Sequence, residues 1–450
     1  MVQIVTIDTP GLGDRSYIAH DGKVAVVVDP QRDTDRIDAV TEALGLRVAL
    51  VLETHIHNDY LTGGLALARA TGASYVVAAD DDVAFDHVGA RHGDRLEAGG
   101  LQVTVVGTPG HTPHHLSYVV GAAGGPPVSV FSGGSMLFGA VGRTDLIAAG
   151  RTDALTRAQY RSVRRLAANL GDDVAVFPTH GFGSFCSATK TTGTSSTIGN
   201  ERSQNLALIT DYEDAFVAEL VSGLRAYPSY YVHMGPANAR GPRPPDLSLP
   251  RWLEAGDVRR RIDAGQWVVD LRPRSLFAEQ HLSGSISIEF GDAFATYVGW
   301  TLPWGEPLSL VGESPEQLLQ ARRELCRIGI DDLAGVTADD PRAAGDGALS
   351  AYRVADFADL AKAWSDDVVV LDVRRADEWA SGHLRGARHL PLHELDQAMT
   401  SVPRRRLWVH CASGFRSSIA ASLLARAGCD VTYVNDDWEN AKGAGLPMAG

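Results

Sequence analysis

Cysteine is scarce in this chain: 450 residues hold four, Cys186, Cys326, Cys411 and Cys429, and no two share a C-x-x-C spacing. That excludes a disulfide-built scaffold and fits a reducing compartment. Positive charge is also in short supply, with Lys+Arg 41 against Asp+Glu 55 and a net charge of −14. Such a balance repels phosphate backbones and anionic headgroups unless basic residues cluster, and none do, so neither nucleic acid nor membrane is expected as a partner. The opening M-V-Q-I-V-T-I-D-T-P lacks the basic segment and apolar run of a secretory signal, so the cytoplasm is the expected location. From His111 to Gly142 there is no Asp, Glu, Lys or Arg. Pro113, Pro126, Pro127 and repeated glycines would break a membrane helix there, and the stretch reads as strands and loops. What remains is an ordinary folded composition, 44% hydrophobic and 21% charged, long enough for two to four domains.

The first half alternates β-rich runs (Val24–Val28, Val48–Leu52, Leu101–Val106, Val174–Phe177) with helical patterns at Thr62–Thr71 and Ala158–Leu170, an α/β layered arrangement. Around Tyr227–Pro250 the pattern gives way to a Pro/Gly-rich segment that reads as a linker, with a boundary near residue 245. Beyond it the chain repeats itself. V-V-D-L-R and H-L-S-G-S at Val268 and His281 recur as L-D-V-R and H-L-R-G-A, so Asp270 and Asp372, like His281 and His383, lie 102 residues apart. Past Leu308, which matches Leu407, the spacing becomes 99. Two copies of a fold of about 100 residues follow, each a small parallel sheet with helices on both faces. The expected domains are residues 1–245, 246–345 and 346–450.

In the second copy, R-L-W-V-H-C-A-S-G-F-R-S-S-I-A-A ends an apolar strand at Cys411 and opens a helix near Arg416. Backbone N–H groups converging in such a strand-to-helix loop, with the positive helix end, favour an anion at the sulfur. Cys411 is therefore the candidate nucleophile. Ala412, Ser413, Gly414 and Phe415 form its loop, and Arg416 closes the loop or meets an acceptor. Both segments resemble rhodanese domains, with C-A-S-G-F-R as the active loop of the second. Four residues separate Cys from Arg, against five in the tyrosine-phosphatase signature. The first copy has Gly312 and Gln317 at the matching positions and resembles a non-catalytic rhodanese module. Cys326 reads as core, and Cys429 is assigned no role.

In V-L-E-T-H-I-H-N-D-Y-L-T-G-G, His55, His57 and Asp59 alternate after a β-rich run, so an extended chain would point all three the same way. His111 follows the run Leu101–Val106, and His180 follows Val174–Phe177. Four histidines at strand ends suggest one metal-binding rim.

Residues 1–245 resemble the metallo-β-lactamase fold, an αββα sandwich with its metal site at one edge and the motif H-x-H-x-D-H. Tyr60 stands at the last histidine, a ligand of the second metal, which disfavours a dinuclear hydrolase. G-R-T-D at Gly142–Asp145, S-S-T-I-G-N-E-R at Ser195–Arg202 and the domain order resemble the mononuclear-iron persulfide dioxygenases fused to rhodanese domains. That resemblance implies one Fe(II) per chain, held by His55, His57 and His111, with Asp59 and His180 as further ligands or supporting groups. It implies oxidation of a low-molecular-weight persulfide by O2 to sulfite and thiol, thiosulfate sulfurtransferase chemistry at Cys411, and a homo-oligomer. Gly134 departs from the pattern, since it occupies the position of the family's carboxylate ligand. Two alternatives stay open: a sulfurtransferase with a metal-free scaffold domain, and a zinc thioester hydrolase of the glyoxalase II type.

Overall fold

A computed structural model describes residues 1–189, 191, 193–344, 349–365 and 367–449. The chain separates into two units, Met1–Asp246 with Cys326–Gly329, and Leu247–Leu325 with Ile330–Gly450. Among the described residues no helix is long and apolar enough to cross a membrane.

The first unit contains two six-stranded sheets. One runs in the order β1 (Gln3–Thr9), β2 (Asp14–His20), β3 (Val24–Val28), β4 (Arg47–Leu52), β5 (Ser74–Ala78) and β6 (Val88–Ala90). Its first two pairings are antiparallel and the rest parallel. The other contains β7 (Arg95–Ala98), β8 (Leu101–Gly107), β9 (Leu116–Ala122), β10 (Pro127–Gly133), β11 (Ala175–Pro178) and β12 (Ser196–Thr197), neighbours in that order. V-A-V-V-V in β3 is apolar throughout because it is covered on both faces, as buried parallel strands are. Alternate residues of the two sheets, Val26 and Leu52 from one and Val103, Tyr118 and Phe131 from the other, form the central layer. Helices cover the outside. Asp35–Ala43 and Gly64–Thr71 bury Ile37, Leu65 and Leu67 against the first sheet. Thr152–Ala168 packs Tyr160, Val163 and Leu166 against the second. This is the αββα sandwich of the metallo-β-lactamase fold.

The segment read as a linker is partly structured. Tyr231–Arg240 is a helix despite Pro236, and its Asn238 side chain is buried. Its composition hid this, since one docked polar side chain leaves little apolar periodicity to read.

The second unit holds two parallel sheets. In the first copy the order is Ile286–Ser287, Trp267–Asp270, Leu308–Val311 and Leu333–Thr337. In the second it is Arg388–His389, Val369–Asp372, Leu407–His410, Val431–Val434 and Arg353–Ala355. The extra strand has a counterpart in the parallel bridge Trp252↔Val336, so the sequence repeat is a structural repeat. The expected junction at 345/346 lies outside the described residues.

Candidate metal and cysteine sites

The histidine pocket is built from loops that leave one edge of the sandwich. After β4 the chain carries Glu53, His55, His57 and Asp59. After β8 comes His111, and after β11 comes His180. Residues 53–60 are bent and irregular, so the expected extended presentation of H-x-H-x-D is not what forms. The side chains nevertheless converge. His55, His57, His111 and His180 are all at most 1% exposed, and the His55 and His180 Nε2 atoms lie 3.3 Å apart.

Each ring is oriented by a group behind it, the arrangement that fixes a tautomer and frees the other nitrogen for a metal. His111 Nδ1 meets the Arg143 carbonyl at 2.6 Å, which leaves its buried Nε2 without a partner. His55 Nδ1 meets Thr54 Oγ1 at 2.9 Å, and that hydroxyl donates to Asp29. His180 Nδ1 sits 2.8 Å from Asp14 and 3.1 Å from Asp59. His57 is turned the other way. Its Nε2 faces Tyr60 Oη (3.0 Å), Glu53 (3.2 Å) and Asp29 (3.4 Å), while its buried Nδ1 has no partner. The groups whose ligand atoms lie within 4.8 Å of one another are His55–His57–His180, His111–His180–Cys186, Asp14–Asp59–His180 and Asp29–Glu53–His57.

The electrostatics call for a cation. Burial alone would strip protons from all these rings, and it does so for His55 and His111, the latter lowered to about 3. Burial also opposes the charged form of His57 and His180, but Asp29 and Glu53 raise the first to about 9, and Asp59 and Asp14 raise the second. Asp29 and Asp59, both held low, thus keep protons on two imidazoles, while burial pushes Glu53 up and Asp14 up to about 8; a metal ion would satisfy the two low carboxylates in place of those protons. The unpartnered His57 Nδ1 and His111 Nε2, together with this buried negative charge, fit a metal ion.

Gly134 follows β10 and lies against His111. A Cβ built there would stand 2.2 Å from His111 Cδ2, so a carboxylate at this position would require the ring to move. His115, which sequence reasoning passed over, accepts the Gly134 N–H at Nε2 (3.0 Å) and bonds Thr108 Oγ1 at Nδ1 (2.8 Å). Both its nitrogens are engaged. Asn238, also unanticipated, donates from Nδ2 to the His57 and Tyr60 carbonyls and accepts the Thr62 N–H. It thereby pins the loop that carries the histidines.

In the second unit, Cys411 lies just past the strand Leu407–His410 and is 1% exposed, with Ser417 Oγ 3.4 Å from its sulfur. The helix Phe415–Arg426 begins after Gly414, whose φ of 87° and close approach to Asn435 (2.2 Å from an added Cβ to Oδ1) admit only glycine. The Ala412 carbonyl accepts the Trp438 N–H, and the Ser413 carbonyl accepts from Arg274 of the first copy. Phe415 meets Tyr297 edge to face. Arg416 forms a two-pronged ion pair with Glu378 at 2.6 and 2.7 Å. Burial works against the Glu378 carboxylate, yet Arg416 and the Arg375 N–H hold it down at about 2. Glu378, Arg274 and Tyr297 lie far from the loop in sequence, and nothing local to C-A-S-G-F-R could have singled them out.

Residues 356–444 match the family described as "Rhodanese-like domain". The chain is 29% identical over 206 residues to the mitochondrial persulfide dioxygenase ETHE1 of Homo sapiens, a match covering 45% of this chain and 72% of that protein. It is 32% identical over 127 residues to a hydroxyacylglutathione hydrolase of Albidiferax ferrireducens, covering 28% of this chain and 49% of that one. A solved structure of a metallo-beta-lactamase from Staphylococcus aureus subsp. aureus COL superposes with a TM-score of 0.67 at 26% identity, over 75% of this chain and 98% of that one. The chain thus joins a metallo-β-lactamase fold to a rhodanese-like domain and resembles persulfide dioxygenases.

Proposed function

We propose that the chain is a two-centre sulfur enzyme. Its first domain oxidises a low-molecular-weight persulfide with O2 to sulfite and thiol, and its last domain transfers sulfane sulfur through Cys411. The observation that carries this reading is the histidine pocket itself. It offers nitrogens for one metal ion while Tyr60, bonded to His57 and to the Asp29 carbonyl, fills the place of a second-metal ligand. One metal with open positions suits oxygen chemistry, whereas a thioester hydrolase of this fold uses two.

His55, His57, His111 and His180 would hold the ion, and bound Fe(II) would supply O2 activation. Around it, Asp29, Glu53, Asp14 and Asp59 orient the imidazoles and balance their charge. The near-complete burial of the ligands keeps bulk water from the reacting sulfur. At the other centre, the Cys411 thiolate attacks the outer sulfur of a donor such as thiosulfate. A Cys411–S bond forms, the S–S bond to sulfite breaks, and sulfite leaves with the bonding pair; a thiol then removes the sulfur from the persulfide. Loop N–H groups and the helix N-terminus stabilise the anionic sulfur in both states.

Metal analysis of the purified chain with persulfide-dependent O2 uptake tests this. About one iron per chain, and loss of both metal and uptake in His111→Ala, is the expected result. A second reading, a sulfurtransferase with a metal-free first domain, is favoured by the His111 ring lying where a side chain at position 134 would go. A folded protein that binds no metal and consumes no O2 yet transfers sulfur would establish that reading.

A further inference from the structure

The pocket lacks an anionic ligand at position 134, and the structure offers another. Cys186 is fully buried, and its sulfur lies within 4.8 Å of ligand nitrogens of both His111 and His180. The placement is built rather than incidental. Arg143 ties the two sides together, since its N–H donates to the Cys186 carbonyl at 2.8 Å and its own carbonyl orients the His111 ring. The adjoining Gly142↔Ser187 bridge and the Ser184 hydroxyl that accepts the Cys186 N–H hold the same backbone. Close by, His111 Nε2 is a buried polar atom without a partner, and the Asp59 carboxylate accepts a hydrogen bond from the Cys186 thiol. Asp59 is the other nearby anion, but its second oxygen already serves His180.

We propose that Cys186 is a metal ligand, its thiolate supplying the negative charge that a carboxylate would supply at residue 134. The proposal rests on the metal-centre reading above and adds to it a sulfur donor, so that His111, His180 and Cys186 form one face with His55 beside it. When the ion binds, the Cys186 S–H bond breaks and an S–metal bond forms, the thiol proton leaving along with the proton that each ligating imidazolium gives up; no electron is transferred. Without metal, burial and the neighbouring Asp59 and Asp14 keep the thiol protonated. A thiolate softens the site and favours Fe(II), Co(II) or Zn(II) over the hard ions that all-oxygen sites select.

Anaerobic titration of the full chain with Co(II), followed by absorption, tests it. Expected are one cobalt per chain and an intense thiolate-to-cobalt charge-transfer band in the near ultraviolet that saturates at the same point. Cys411→Ser should keep the band. Cys186→Ser should lose it while still binding cobalt at least about tenfold more weakly. Cys186→Asp, which returns a carboxylate, should bind cobalt without the band and guards against a serine variant that fails to fold. Stoichiometric cobalt with no charge-transfer band in the unaltered chain, or a band that survives in Cys186→Ser, would overturn the assignment and leave the metal centre standing. Failure of the folded chain to bind cobalt at all would remove both.

Discussion

The two copies of the repeat in the second unit share a frame and differ at one loop. In each, an aspartate at the end of a central strand grips an arginine two residues on through both carboxylate oxygens, Asp270 with Arg272 and Asp372 with Arg374. In each, a histidine stacks on an aromatic ring four residues earlier, His281 on Phe277 and His383 on Trp379. The divergence begins where the next strand ends. The second copy turns through Gly414 at positive φ and starts its helix at Phe415. The first has Pro315 at the matching place and starts its helix there. Proline cannot adopt that turn and suits the first helical position instead. Ser314 then caps the Gln317 N–H, and Gln317 Oε1 accepts the Glu313 N–H. The amides that would cradle an anion are consumed by the chain's own side chains. The first copy thus keeps the frame and has its cradle closed from within.

Cys411→Ser should break the comparison most completely, making both copies inert. Transfer from thiosulfate to cyanide or a thiol should fall by on the order of 10³-fold or more with metal content unchanged, as measured by thiocyanate formation and metal analysis. Next in size is Gly414→Ala. The added methyl enters a left-handed conformation against Asn435, at a cost of about 3 kcal/mol in denaturant unfolding, with a matching drop in transfer. Glu378→Gln frees Arg416 and should cost about 2 kcal/mol at neutral pH. Because the folded carboxyl is held at about 2, below its ordinary 4.5, the stabilisation is full above about pH 4.5 and is lost as pH falls toward 2. The variant should lack that acid-range slope when unfolding is followed from pH 6 down to 2. The smallest effect is expected for Gly312→Cys. Its side chain meets Gln317 Oε1 at 2.8 Å and Leu318 Cδ2 at 2.9 Å, flexible ends that can yield for about 1 kcal/mol. It should form no persulfide by mass spectrometry, because a cysteine without free loop amides gains no activation.

Much of this was legible in the sequence because it is local or periodic. The β-branched runs became strands, the repeat became two similar sheets, and C-A-S-G-F-R became a strand-to-helix loop. What escaped was non-local. Glu378 is 38 residues from Arg416, and Asp29 supports His55 through Thr54 from a different strand end. Cys186 and His115 look like unremarkable loop residues until the fold brings them beside His111 and Gly134. The bend in residues 53–60 was likewise invisible, since it is imposed by side chains such as Asn238 that bond the backbone from afar.

Asn238 has a practical consequence for dissecting the chain. A fragment cut where proline and glycine first accumulate, near residue 227, would keep every histidine of the pocket and all twelve strands of the sandwich. It would still lose the amide that clamps the His57 and Tyr60 carbonyls and the Thr62 N–H. Those three backbone groups would be left to water, and the histidine loop would be free to drift. Proteolytic trimming or subcloning of the first domain alone should therefore end no earlier than Arg240, the last residue of that helix. A shorter piece could fold and still misreport the pocket.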